Sequence, residues 1–162
     1  MEKFLQMELN INLVIAVIGA SVTLIGYYVT RYLERKKEIE FQIRNKKIPI
    51  YEEFFQFYFK VVFNTKNKNG KKLSEDDMIL FFQQFNQKAI IWFPDNILIS
   101  YINWKRELSY FSGNNTPENL KNLILKQEDL MKEFRKDIGH ENKKISKGDI
   151  SSLYVNGLDN YF

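Results

Sequence analysis

Between Leu9 and Thr30 the chain runs for 22 residues without a charge, then meets Arg31, Arg35, Lys36 and Lys37. At about 1.5 Å of rise per residue, a helix of that length reaches about 33 Å, enough to cross a hydrocarbon core of about 30 Å. The segment reads as a single transmembrane helix. A cleaved signal peptide is the competing reading, but that needs a basic start, a short apolar region and a small-residue cleavage site. Here the first eight residues, Met-Glu-Lys-Phe-Leu-Gln-Met-Glu, are acidic on balance, and the apolar run ends in a stop-transfer cluster.

The faces of this helix differ. Asn12, Ala16, Gly19, Thr23, Gly26 and Thr30 follow one another at spacings of 4, 3, 4, 3 and 4, a heptad stripe of small or polar residues. Leu13, Val14, Ile15, Val17, Ile18, Val22, Leu24 and Ile25 cover the rest. Bulky aliphatic side chains face lipid without loss, whereas small residues let backbones approach and polar ones seek partners across helices. The stripe is the expected surface for helix packing or for a pore.

Orientation follows the Lys and Arg balance at the two ends. One basic residue, Lys3, precedes the span, and seven lie between Arg31 and Lys47. This places residues 1–8 outside, 9–30 in an inner (plasma) membrane and the rest in the cytoplasm. Tyr27, Tyr28 and Tyr32 fall where an inner aromatic belt belongs. The absence of cysteine agrees with a reducing compartment. The net charge of +4 is concentrated: residues 31–47 carry seven basic and three acidic side chains, and from Ile48 onward 16 basic residues face 15 acidic ones. The excess lies against the leaflet, where anionic lipid attracts Arg31, Arg35, Lys36 and Lys37 by about 1 kcal/mol each. A bilayer explains the basic balance better than nucleic acid does.

The remainder predicts an all-α architecture, with the span continuing through a basic juxtamembrane helix (31–47) into a cytosolic domain (48–162) of about five helices. Pro49 is expected to end or bend the first helix, and Tyr51–Phe63 to form a second. A polar loop follows, with Lys66, Lys68, Lys71 and Lys72 as a candidate ligand loop or simply a solvated one. Ser74 with Asp77 caps a helix to about Trp92, and Asp95 caps another over 96–111. Thr116-Pro117 opens a helix to about Ile138, closed by Gly139. A short last helix is expected from Ser146 to Tyr154. Seven of the 13 residues in Tyr51–Phe63 are aromatic and occupy more than one face. They make either a central core helix or, with Phe81, Phe82, Phe85, Trp92 and Phe93, a surface that a second copy covers.

Chemistry is scarce. With one histidine and no cysteine, a chain has no ordinary zinc or thiol site, and no cofactor is expected. There is no phosphate-cradling glycine loop and no GxSxG elbow. Asp76-Asp77 fits a helix dipole better than a metal. Asp137, His140 and Glu141 make either an acid–base cluster or, bracketing a helix end, a set of structural residues. The reading is of a protein that is not an enzyme.

The stretches Arg44-Asn-Lys-Lys-Ile-Pro-Ile-Tyr-Glu-Glu-Phe, Ile90-Ile-Trp-Phe, Arg135-Lys-Asp-Ile-Gly-His and Lys147-Gly-Asp-Ile, set behind one amino-terminal span, carry a resemblance. The chain resembles small bacterial single-span membrane proteins with a helical cytosolic domain, among them membrane effectors of Hailong-type anti-phage defence. The resemblance implies a homo-oligomeric channel, a tetramer or larger, controlled by an oligonucleotide that a partner nucleotide polymerase makes. Read from the residues alone, the stripe suits either such a channel or a membrane-tethered adaptor that binds a protein partner.

Overall fold

The computed structural model describes the backbone of residues 2–63 and 73–155 and the side chains from residue 11 onward. Over these residues the fold is all-α. Helix α1 spans Glu2–Val62, α2 Glu75–Trp92, α3 Asp95–Gly113 and α4 Pro117–Asp137, followed by a 3-10 turn at Ser151–Leu153. The chain divides into two units, residues 1–44 and 45–162. The first is helix alone. The second is a bundle made from the last part of α1 with α2, α3, α4 and the turn.

The expected break at Pro49 does not occur, and Tyr51–Phe63 is the end of α1 rather than a separate helix. An interior proline removes one backbone bond and crowds the preceding turn, at about 3 kcal/mol. Contacts on both sides of it hold the helix. Ile50 and Tyr51 are buried. Lys47 Nζ donates to both Asp137 oxygens of α4 at 3.1 and 3.0 Å, and the Tyr51 hydroxyl donates to Oδ2 at 2.8 Å. Burial first, and then the neighbouring carboxylate, push the Tyr51 phenol far above its ordinary pKa, so it remains a donor.

The aromatic segment is one-sided. Glu52, Gln56 and Lys60, spaced by four, are exposed, while Tyr51, Phe54 and Phe57 are buried. Phe54 has no exposure and meets Trp104 at 5.0 Å, Phe85 at 5.4 Å and Phe134 at 5.5 Å between ring centroids. Phe57 stacks on Phe81 at 3.6 Å. The core reading of this segment therefore accounts for its inner face, with Phe85 and Phe93 buried beside it.

The start of α2 and both ends of α4 follow the local signals. Ser74 and Asp77 form a reciprocal capping box, Asp77 N–H to Ser74 Oγ at 3.1 Å and Ser74 N–H to Asp77 Oδ2 at 3.0 Å. Thr116 accepts from the Asn119 N–H with Pro117 at the first helical position. Gly139, at φ +104°, ends α4 in a Schellman arrangement: His140 N–H reaches Arg135 O at 2.9 Å and Gly139 N–H reaches Lys136 O at 3.0 Å. Asp95 is not the cap of α3. Pro94 holds that position without a side-chain bond, and Asp95 begins the helix, where its charge suits the dipole. In place of a last helix, residues 147–150 form turns before the 3-10 segment, because Gly148 takes a left-handed φ of 92°.

The core also holds a conflict. Gln127 on α4 has no exposure, yet neither its amide nitrogen nor its oxygen has a hydrogen-bond partner. An unmet buried amide costs about 1–3 kcal/mol. Gln127→Met, of similar length and apolar, is expected to raise stability by about 1–2 kcal/mol in chemical unfolding; a loss of stability would mean that the amide serves a role the fold itself does not reveal.

Candidate functional site

On α1 the apolar window long enough to cross a membrane lies near the N-terminus, and none of it is buried inside the protein. Leu13, Val22 and Ile25 are each more than 60% exposed (64%, 64% and 63%). Gly19 and Gly26 have open space on their outer sides, with no atom within 4 Å of where a Cβ would stand. Among the described residues nothing covers the stripe at either glycine. Ala16 and Thr30 are likewise exposed. Thr23 differs from its neighbours on the stripe: its hydroxyl donates to Gly19 O at 2.8 Å. That bond satisfies the proton within the helix and leaves the oxygen able to accept. Ser21, off the stripe, bonds Val17 O in the same way at 2.8 Å. The Asn12 amide has no partner among the described residues.

Past the span, Arg31 lies within 3.6 Å of Glu34 and 5.9 Å above the ring of Tyr27. Arg35, Lys36 and Lys37 are exposed. The loop of Lys66, Lys68, Lys71 and Lys72 lies outside the described residues.

The suspected acid–base trio is divided. Asp137 is committed to Lys47 and Tyr51, and Glu141 pairs with Lys143 at 2.6 Å on the surface. It is the backbone N–H of His140, not its ring, that caps α4. Asp77 serves its capping box, where the backbone and hydroxyl of Ser74 hold its carboxyl below the ordinary range. Among the described residues no group of three or more His, Asp and Glu gathers in a way that would hold a metal ion.

The bundle instead opens a cleft of about 700 Å3 between α1, α4 and the segment after it. Phe55, Phe59 and Phe63 line one side, Arg135 and His140 the other, and Tyr154 lies against Phe59 at 5.6 Å. The signal for it was present as three phenylalanines spaced by four, but periodicity alone cannot tell a cleft wall from core. Nothing in the local sequence announces the opposite side, because residues 139–150 have no regular structure.

That segment is tied down by a buried carboxylate. Glu128 on α4 is 1% exposed and accepts from Gly148 N–H at 2.8 Å, Ser151 N–H at 3.1 Å, Ser151 Oγ at 2.9 Å and Lys132 Nζ at 2.7 Å. Burial alone raises the pKa of such a group, but here the bonds from Lys132, Gly148 and Ser151 outweigh it, and the carboxyl is held below its ordinary value. No protein-family model matches the chain, and no curated protein or solved structure matches it at a significant level.

Because the Glu128 pKa is depressed by folding, its stabilisation is complete above the unfolded value of about 4.3 and fades as the pH falls through the lower folded one. Glu128→Gln is therefore expected to cost about 1–3 kcal/mol at pH 7, with the difference from the parent protein shrinking below about pH 4. Thermal unfolding followed by circular dichroism across that range checks it. A cost independent of pH would mean that the charge is not what holds the segment.

Proposed function

We propose that the protein is a single-span bacterial inner-membrane protein, amino terminus outside and helical domain in the cytoplasm, that assembles with copies of itself through the stripe. In this reading it is a channel-type effector of anti-phage defence, gated through its helical domain. The observation that carries the proposal is the uncovered stripe: Gly19 and Gly26 leave room for another backbone on a helix whose apolar window is unburied. In hydrocarbon, bulky side chains are already solvated, so close approach at glycine and a partner for Asn12 are what association gains. Several spans side by side, a tetramer or larger, would turn Asn12, Thr23 and Thr30 toward a narrow lumen. With no charged ring in the span, selectivity by fixed charge within the bilayer is not expected. The defence role and control by an oligonucleotide from a partner polymerase rest on the resemblance in layout and segments alone.

One observation favours a second reading. Thr23, the mid-span polar residue, has its proton satisfied by Gly19 of its own helix, so a dry seam tolerates it. A membrane-tethered adaptor whose span merely dimerises fits that equally well.

Conductance separates the two. Unregulated expression of a channel collapses the membrane potential. Thr23→Leu is expected to abolish that collapse while the protein stays inserted, because a bulky apolar ring resists wetting. Gly26→Leu is expected to disrupt assembly, whereas Leu24→Ile, on the lipid side, leaves it intact. An abundant, inserted and assembled protein that never changes conductance would point to the adaptor. The orientation has its own check: a reporter fused after Phe162 is expected to be active only in the cytoplasm, and periplasmic activity would refute it.

A further inference from the structure

The cleft at the end of α4 has a function of its own to suggest, whether or not the span conducts. We propose that it binds a small aromatic monoanion, a flat ring system carrying one carboxylate, with Arg135 as the anchor for the charge.

Three features support this. The first is the apolar wall. Phe55 and Phe59 stack at 6.3 Å with planes 27° apart, Phe59 and Phe63 at 5.8 Å with planes 21° apart, and Tyr154 meets Phe59 edge-on at 79°. Phe63 is 55% exposed. Rings so placed offer faces and edges to another aromatic group, whose quadrupole they complement. The volume of about 700 Å3 suits a compact ligand.

The second is a cation held in place and left without an anion. Arg135 is half-buried at the cleft. Its Nε donates to Asn142 Oδ1 at 3.0 Å, and no carboxylate pairs with it among the described residues. Asn142 is itself fixed: its Nδ2 donates to Lys132 O at 2.8 Å, and its backbone takes a left-handed φ of 54°. Asparagine adopts this conformation more readily than other residues with a Cβ, and the bond to Lys132 O holds the side chain in place. The result is a guanidinium pinned at one nitrogen, whose other donors have no partner among the described residues and suit the bidentate grip that carboxylates accept.

The third sets the charge of the guest. Asp149 also lines the cleft, and its Oδ2 accepts the Ser146 N–H at 2.6 Å. With Arg135 and Asp149 both lining the cleft, their charges cancel, which suits a singly charged guest better than a phosphate chain. His140, whose ring has no partner among the described residues, stands at the same opening.

The test uses the full chain in lipid nanodiscs, titrated calorimetrically against empty discs, with 2-naphthoate, neutral 2-naphthylmethanol and adenosine monophosphate as probes. Naphthoate is expected to bind saturably and at least about tenfold more tightly than the alcohol, as a charge-assisted contact implies. Arg135→Gln is expected to erase that preference while leaving the alcohol unchanged. Asn142→Gly keeps the left-handed backbone and loses the tie to Nε together with the bond to Lys132 O. It is expected to lower naphthoate affinity by a smaller factor, and it keeps the proposal testable if Arg135→Gln does not fold. No saturable naphthoate binding, equal binding of the alcohol, or tighter binding of the nucleotide would each overturn the proposal.

Discussion

Hydrocarbon cannot hydrogen-bond, and in the proposed membrane-spanning reading this constraint governs the apolar stretch of α1. A segment entering a bilayer must satisfy its own backbone, which a helix does, and must then place every polar side chain. Thr23 and Ser21 turn their hydroxyl protons to carbonyls four residues back. Asn12 has no such recourse: its amide carries two donors and an acceptor, and it sits on the same side as Gly19 and Gly26. An amide without a partner among the described residues, on the same face as two glycines, invites a neighbouring helix, because close backbone approach and a cross-helix bond are available along one stripe.

The helical domain rests on a different contact. Asp137, at the last turn of α4, receives Lys47 and Tyr51 from either side of Pro49. The proline weakens α1 where it begins to pack, and the carboxylate secures it from the neighbouring helix. All three groups are largely sheltered, with the side chains of Lys47 and Asp137 14% and 18% exposed, so each partner compensates the others for lost water. From that point Ile50, Tyr51, Phe54 and Phe57 follow the helical repeat into the core. Glu128 does a comparable task one face away, holding Gly148 and Ser151 and so giving the cleft its far side.

Much of this was legible in the sequence because it depends on near neighbours. The Ser74–Asp77 box, Thr116-Pro117 and Gly139 act within a few residues, and α2 and α4 start or stop where those signals lie. The failures share a physical cause. Pro49 reads locally as a stop, but tertiary bonds from a residue 90 positions away override it. Asp95 has the chemistry of a cap, yet the chain places Pro94 there. The carboxylate of Asp137 looked available to His140 until the fold brought Lys47 and Tyr51 to it. The cleft was hidden for the same reason, since the tie from Asn142 to Arg135 depends on a left-handed backbone that no periodicity encodes.

The central claim is that the stripe, and no other face of the span, meets a second copy. The chain has no cysteine, so single cysteines placed one at a time from residue 12 to 30 report contact without interference. Disulfide formation between copies in native membranes is predicted to peak at Ala16→Cys, Gly19→Cys, Thr23→Cys and Gly26→Cys, and to fall to background at Val17→Cys and Leu24→Cys. Cross-linking without a helical period, or with its maximum on the Val17 and Leu24 face, would contradict the account.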